Sequence, residues 1–253
     1  MARKAPHRTA ERILEASLVL FNRFGEPNVS TMAIAADLRI STGNLYYHYP
    51  AKDKIVTALF ARYEQALSAL LVTSAGVTDA KQAWAFVRTL LELIWDYRFL
   101  YRDLNNLLSC NRQLEAQFPV LVQAKTAAMH DLLQALGRHG ALQLEPAQAV
   151  QTTATSMAVL LTYWLSFEYV RDPRSALEPA NAQAAPARGA QHVMGLLMPC
   201  LAPEQRTQLA QLAPLVQLAP LEQPADAARY ACATGAPRMT SDAGPPVQPV
   251  PGR

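Results

Sequence analysis

A run of small polar and aromatic residues between positions 41 and 49 offers the clearest chemistry in the sequence. The members that can donate or accept hydrogen bonds are Ser41, Thr42, Asn44, Tyr46, Tyr47 and His48. Such hydroxyl, amide and imidazole groups bond to base edges and phosphate oxygens when a helix enters the major groove of DNA. Gly43 would let the backbone approach the duplex closely. The run therefore predicts a surface that binds double-stranded DNA.

Two charge features favour the same partner. Lys52 opens the next predicted helix, where its side chain and the positive end of the helix dipole would together attract a phosphate group. Residues 1–62 hold nine Lys and Arg against five Asp and Glu, whereas the rest of the chain holds 14 against 15. A basic first quarter on a nearly neutral body predicts an anionic partner for that quarter alone.

The elements that must position these side chains are two short helices joined by a tight bend. Ser30 is a suitable N-cap for a helix over residues 31–38, and Ser41 is a suitable N-cap for the next helix. Ile40 and Leu45 are spaced as a hydrophobic staple across that second cap, and Pro50 ends the helix. Two short helices within about 20 residues are the geometry of a helix-turn-helix.

The remaining sequence predicts further helices and no alternating strand pattern, so the fold class is all-α. Helical spacing is predicted over residues 9–24, 52–70, 78–95 (capped by Thr78), 97–109, 111–136 (with a bend at Pro119), 146–171 and 188–201. Nine prolines fall within residues 203–253, which predicts a mostly disordered tail. The expected organisation is a helix-turn-helix domain at 1–50, a helical effector-binding and dimerisation domain at 51–202, and the Pro-rich tail.

The region around the bend resembles the DNA-binding domain of the tetracycline-repressor (TetR) family, closely over residues 8–60 and beyond them only in layout. The resemblance is carried by Ile34-Ala35, by Ile40-Ser41-Thr42-Gly43-Asn44-Leu45-Tyr46-Tyr47-His48-Tyr49 and by Lys52-Asp53-Lys54. It implies that Thr42, Gly43, Asn44 and Tyr46 face bases, and that Tyr47, His48, Lys52 and Thr31 contact the backbone of DNA. Arg39 departs from the Gly or Asn of many members, so either Arg39 adopts a left-handed conformation at some cost or the bend differs slightly from the family's.

The same resemblance implies a homodimer formed through residues 146–171 and 188–201, a near-palindromic operator and release by a small-molecule effector. Val193, Leu196, Leu197 and Leu201 form the predicted interface stripe, with Gly189, Ala190 and Gly195 allowing close approach. An effector pocket lined by aromatic and sulfur-containing residues would favour a hydrophobic or amphipathic ligand. Its candidate residues are Trp84, Trp95, Tyr97, Tyr101, Phe118, Met129, Met157 and Trp164.

Other classes of function are disfavoured by the sequence. The histidines and acids show no catalytic or metal-ligand spacing, and Cys110, Cys200 and Cys232 form no CxxC pair, so neither an enzyme nor a cofactor or metal site is expected. No leader segment or membrane span is apparent, which favours a cytoplasmic protein. Two alternatives remain: Tyr46, Tyr47 and Tyr49 could be core aromatics, and the chain could be a helical interaction module that no longer binds DNA.

Overall fold

Eleven α-helices and four short 3-10 turns make up the part of the chain that the computed structural model describes, residues 5–144 and 146–212. The described residues contain no β-strand, only an isolated bridge between Leu142 and Leu201. They belong to one compact unit, while a second unit, Gln217–Arg253, lies outside them. The predicted all-α fold class is confirmed.

Three helices form the N-terminal part: α1 (Ala5–Phe24), α2 (Thr31–Asp37) and α3 (Thr42–His48). Gly25 ends α1 with a φ of +84°, a conformation that a residue with a side chain rarely adopts. Apolar residues from all three helices, with Phe21, Ile34 and Leu45 fully buried, make a small shared core. Each of these short helices is stable because one face packs on the other two.

Helix α4 (Lys52–Leu71) joins this N-terminal part to the rest of the molecule. The segment Lys52–Gly76 is long and apolar enough to cross a membrane by length and composition alone. Its residues Ile55, Leu59, Phe60, Tyr63 and Leu67 are nevertheless fully buried against other helices of the chain. A core helix of a globular protein meets the same test of length and composition.

The next three helices are α5 (Ala80–Asp96), α6 (Phe99–Arg102) and α7 (Leu104–Cys110). Asp79, rather than the predicted Thr78, caps α5, because its carboxylate accepts a hydrogen bond from the Gln82 backbone at 2.8 Å. The expected helix over residues 97–109 is two short helices. Asp103, with φ −110° and ψ 24°, separates them.

Two long antiparallel helices, α8 (Arg112–Arg138) and α9 (Ala147–Arg171), form the centre of the C-terminal part. Helix α10 (Ala184–Gly195) begins four residues before its predicted start, since Pro186 falls in the first turn, where its missing N–H group costs nothing. It also ends earlier than predicted. The segment Met198–Cys200, which contains Pro199, is a 3-10 turn.

Helix α11 (Pro203–Leu212) corrects the predicted boundary of the disordered tail. Proline is favoured at the first position of a helix, so Pro203 starts this one rather than preventing it. Leu209 is buried, and the Gln205 side chain accepts a hydrogen bond from the Ala80 backbone at 2.8 Å. The prediction of disorder is therefore wrong for residues 203–212, and its remainder, 213–253, lies outside the described residues.

Gly189 is where α10 packs most closely on its neighbours, and replacing it with alanine should destabilise the fold. A Cβ atom there would lie 2.7 Å from Trp164 Cδ1 and 3.0 Å from Leu91 Cδ1. We expect Gly189→Ala to lower the free energy of unfolding by about 1–3 kcal/mol in urea denaturation. Gly76→Ala is the control, since its Cβ would meet nothing within 4 Å. Equal losses in the two variants would contradict the packing argument.

Candidate nucleic-acid interface and ligand cavity

Helices α2 and α3 are fixed at their N-termini by two serine caps. Ser30 Oγ accepts a hydrogen bond from Ala33 N, and Ser41 Oγ accepts one from Asn44 N, each at 3.1 Å. Between the helices Arg39 adopts a φ of +55°, which is the first of the two alternatives that its departure from the family pattern leaves open. The Ile40 backbone donates to the Ala35 carbonyl at 3.0 Å, which closes the bend. Local interactions of this kind hold α3 at a defined angle.

Helix α3 turns most of its side chains to solvent. Leu45 is fully buried, whereas Ser41, Thr42, Gly43 and Asn44 are exposed. Tyr47 is 79% exposed and Tyr46 is 45% exposed, so neither is a core aromatic. Tyr49, in contrast, is half-buried and packs against the core. The exposed polar and aromatic groups therefore lie together on one outward face.

Two further predicted DNA contacts are held by other residues of the chain. The hydroxyl groups of Thr31 and Tyr46 are hydrogen bonded at 2.9 Å, which ties α2 to α3 across the face. Lys52 Nζ lies 2.9 Å from Glu26 Oε1 and donates to the Glu26 carbonyl at 3.0 Å. His48 is half-buried, with its ring against that of Tyr47 at 5.1 Å between centroids. Lys52 thus anchors the loop after α1 as well as lying beside α3.

The C-terminal end of α1 is bonded to the segment between α5 and α6. The Asn22 side chain donates to the Asp96 carbonyl at 2.7 Å and accepts from the Phe99 backbone at 3.1 Å. The Phe21 and Phe99 rings lie 5.4 Å apart between centroids. A shift of the segment around Phe99 would therefore be transmitted to α1.

A largely apolar cavity of about 440 Å³ lies between α7, α8 and α9. Its volume falls in the range of small-molecule sites. Leu104, Leu108, Phe118, Pro119, Val122, Ala158, Val159 and Tyr163 supply most of the wall, with Gln123, Thr126, Thr155 and Thr162 as its polar members. The cavity can hold an apolar or amphipathic molecule.

A buried chain of polar groups lies directly behind this wall. Lys125 Nζ donates to Thr162 Oγ1 at 2.7 Å and lies 3.5 Å from the Tyr101 hydroxyl. The Tyr101 hydroxyl is in turn hydrogen bonded to the Tyr63 hydroxyl on α4. Lys125, Tyr63 and Tyr101 are all almost completely inaccessible to solvent. The chain connects the cavity wall to the helix that follows α3.

Burial changes the acid–base properties of this chain. It lowers the pKa of the Lys125 ammonium from the usual 10.5 to about 7. Burial also raises the pKa of the Tyr63 and Tyr101 phenols, so both remain protonated near neutral pH. Lys125 is not among the residues predicted from the sequence. A signal was present, since Lys125 falls on an apolar helical stripe with Phe118, Leu121, Met129 and Leu132.

Seven of the eight residues predicted for an effector pocket are buried, but only Phe118 among them lines the cavity described above. Phe118 lines the cavity described above, and Tyr101 lies behind it, against Lys125 and the Phe118 ring. Trp84, Trp95, Met129, Met157 and Trp164 are buried in the core of the chain and are not part of this cavity wall. Tyr97 is half-buried, with its ring against that of Tyr63.

The predicted dimer surface is divided between the core and the exterior. Val193, Leu197 and Leu201 are buried within the chain, so they are not available to a partner and their predicted interface role is wrong. Gly189 and Ala190 are likewise buried, with Gly189 against Trp164. Leu196 is 40% exposed. Helix α9 presents a continuous exposed apolar stripe of Val159, Tyr163, Phe167 and Val170.

The capped helix pair and the outward face of α3 define a helix-turn-helix protein. A family profile described as "Bacterial regulatory proteins, tetR family" matches residues 13–59, and one described as "Bacterial transcriptional repressor" (TetR) matches residues 62–209. The second match alone extends over more than half of the chain. The chain therefore belongs to the TetR family of DNA-binding transcriptional regulators.

Solved structures share the fold. A TetR-family regulator from Marinobacter aquaeolei VT8 is 26% identical, with 83% of this chain and 99% of that chain covered and a TM-score of 0.71. A transcriptional regulator from Saccharomonospora viridis in complex with choline is 18% identical, with coverages of 75% and 95% and a TM-score of 0.57. A gamma-butyrolactone receptor (ArpA like protein) is 16% identical, with coverages of 83% and 97% and a TM-score of 0.56. No curated protein sequence matches the chain.

Proposed function

We propose that the chain is a one-component repressor that binds near-palindromic operator DNA as a homodimer and is released by a small-molecule effector. The observation that carries the proposal is the outward face of α3, where Asn44, Tyr46 and Tyr47 stand beside exposed serine and threonine hydroxyls. A helix placed in this way at the surface can enter a major groove with its N-terminal residues toward the bases.

In this proposal the residues of the face have different tasks. Thr42, Gly43, Asn44 and Tyr46 read bases, while Thr31, Ser41, Tyr47, His48 and Lys52 position the duplex through its phosphates. The bond between Thr31 and Tyr46 preorganises both hydroxyls before DNA arrives. Lys52 can still approach a phosphate, since an ammonium group has three donors and its two partners belong to one residue, Glu26.

Effector release would use the connection from the cavity to α4. The hydrogen bond between Tyr101 and Tyr63 places the cavity's polar chain against α4, and Lys52 at the start of α4 stands next to the recognition helix. An effector that prefers a different position of α4 would change the spacing of the two recognition helices in a dimer. It can shift the equilibrium only by its differential affinity for the two states. The choline complex and the butyrolactone receptor support the presence of a ligand site.

The proposal is tested by two substitutions on α3 with different expected consequences. Asn44→Ala should change the preference for particular base pairs by about 1–3 kcal/mol. Tyr47→Ala should weaken binding to all sequences and reduce the dependence of affinity on salt. Footprinting and fluorescence anisotropy on the promoter nearest the gene would measure both effects.

Val72→Ala is the control, because Val72 is 78% exposed and lies at the far end of α4. Footprints and affinities equal to those of the wild type in both α3 variants would refute DNA reading by this face.

Lys52→Ala should also weaken binding to all sequences. It leaves the buried Glu26 without its ion-pair partner, so its stability must be measured alongside its affinity.

The two other classes of function are less consistent with the structure. An interaction module that had lost DNA binding would not need a solvent-facing array of hydroxyl, amide and phenol groups on α3. Within the described residues, no group of three or more His, Cys, Asp or Glu side chains is placed to hold a metal ion. The proposed regulator is non-enzymatic and acts in the cytoplasm.

A further inference from the structure

Lys125 is a fully buried lysine without a carboxylate partner. Its Nζ is hydrogen bonded to Thr162 and lies over the Tyr101 and Phe118 rings, 5.2 and 5.7 Å from their centroids. No Asp or Glu among the described residues lies within ion-pair distance of it. A buried ammonium without a countercharge is costly, so its retention requires an explanation.

The position of Lys125 beside the cavity explains why the chain retains a buried lysine without a countercharge. Thr162 and Phe118 both line the cavity and both contact Lys125, and the Thr162 hydroxyl itself donates to the Ala158 carbonyl at 2.8 Å. Lys125 Nζ therefore stands one hydroxyl group, or 2.7 Å, behind the wall. The Thr162 hydroxyl and the Phe118 ring are thus the groups that separate the ammonium group from the cavity. The remaining wall is mainly apolar and suits the hydrocarbon part of the same ligand.

We propose that the effector is an amphipathic carboxylate, whose acid group accepts hydrogen bonds from the Lys125 ammonium beside Thr162 and whose apolar body fills the cavity between α7, α8 and α9. This assignment rests on the proposed function for the existence of an effector and specifies the chemical class of that effector. The ligand carboxylate is the countercharge that the chain itself does not place beside Lys125. Charge-assisted hydrogen bonds of this kind are stronger and shorter than neutral ones.

The same arrangement disfavours other head groups. A cationic head would meet the Lys125 ammonium at short range with little water to screen the repulsion. A neutral alcohol could bond to Thr162 but would leave the lysine without a countercharge. A carboxylate also competes for the N–H groups that now face Tyr101, so its binding alters the contact that leads to Tyr63 on α4.

Calorimetric titration of the full-length protein with three probes of equal chain length tests the assignment. We expect decanoate to bind, decanol to bind at least roughly tenfold more weakly, and decyltrimethylammonium not to bind. Naphthoate, titrated in parallel, distinguishes a flexible from an aromatic acid, and binding of either supports the assignment. Failure of both acids to bind, or equal binding of the cationic probe, would overturn it.

Variants separate a specific carboxylate site from general hydrophobic binding. Lys125→Met should weaken decanoate binding at least roughly tenfold while leaving decanol binding almost unchanged. Thr162→Val should weaken decanoate less, because it removes only the hydroxyl. Lys81→Met is the control, since Lys81 is an exposed lysine on α5. Decanoate affinities that are equal in the wild type and Lys125→Met would show that the lysine is not the receptor.

Proton uptake gives a readout that a purely structural lysine would not show. About one pH unit above the Lys125 pKa of about 7, most of the free protein holds this lysine neutral. Binding of a carboxylate then draws in up to about one proton, measured by comparing buffers of different ionisation enthalpy. Tyr101 and Tyr63, the titratable groups nearest to it, stay protonated under these conditions. Lys125→Met should show no uptake.

The titration contains no DNA, so its result is independent of operator binding. Decanoate binding without displacement of the operator would support the carboxylate site and contradict the release step of the proposed function. Intact operator binding without any carboxylate binding would overturn the site and leave the DNA-binding role standing.

Discussion

Replacing Lys125 with methionine should raise the free energy of unfolding of the ligand-free protein at neutral pH by an amount on the order of a few kcal/mol. Methionine has a similar length and fills the same apolar space without burying a charge. Replacing buried charges with well-packed apolar side chains is often neutral or stabilising. Here the gain should be larger, because the lysine has no acid partner among the described residues to offset its desolvation.

The pH dependence of this difference identifies its cause. The folded-state pKa of Lys125 is lowered from 10.5 to about 7, so between these values the unfolded chain binds a proton that the folded chain does not. Stability of the wild type should therefore rise with pH across this window. The slope from this group is about 1.4 kcal/mol per pH unit, and it vanishes below the folded pKa and above the unfolded one.

Urea denaturation at several pH values checks this expectation. The difference between the wild type and Lys125→Met should be largest near and below neutral pH and should shrink toward alkaline pH. Lys81→Met should show no such convergence, because Lys81 is exposed in the folded chain. A difference between wild type and Lys125→Met that stays constant across the window would contradict a lowered pKa for Lys125.

The DNA-binding face could be predicted from sequence because short-range interactions determine it. The Ser30 and Ser41 caps, the Ile40–Leu45 staple and the stop at Pro50 all act within a few residues. The positive φ of Arg39 was one of two alternatives that the sequence left open. One cap was assigned wrongly, at Thr78. There the neighbouring Asp79 competes for the same role, and a sequence pattern does not decide between adjacent candidates.

The ligand cavity and the dimer surface depend on contacts between distant residues, and here sequence alone was insufficient. Periodicity placed Val193 and Leu197 on an apolar stripe but did not reveal that their partners lie within the same chain. Aromatic content suggested the pocket, yet Trp164 is used to pack against Gly189. Lys125 contacts residues 24 and 37 positions away, so its burial follows from the packing of α8 against α6 and α9.

The exposed stripe of α9 is the surface left for dimerisation once the buried residues of α10 are set aside. Val159, Tyr163, Phe167 and Val170 are each at least 51% exposed, and they recur at helical spacing along one face. Leu196 and Gly195 at the end of α10 are also exposed. In a twofold dimer each of these residues would face its own symmetry mate or a close neighbour of it, so a single substitution acts twice.

Phe167→Glu should therefore convert the protein to a monomer and lower operator affinity by at least about 100-fold. Phe167 is 54% exposed, so glutamate is tolerated at this position by the separate chain. In the dimer it would bury two carboxylates in an apolar interface, which costs several kcal/mol. Loss of the dimer also lowers the affinity for a palindromic operator, because two linked recognition helices bind far more tightly than one.

Light scattering of the protein in solution and anisotropy on a palindromic operator measure the two effects together. Val120→Glu is the matched control, since Val120 is 57% exposed on α8 and lies outside the stripe. It should leave both the oligomeric state and the affinity close to the wild type. If Phe167→Glu remains dimeric with wild-type affinity, the interface lies elsewhere. A single α3 covers only one half-site of the operator. If Phe167→Glu is monomeric and still binds the full operator tightly, the affinity does not depend on a pair of linked recognition helices.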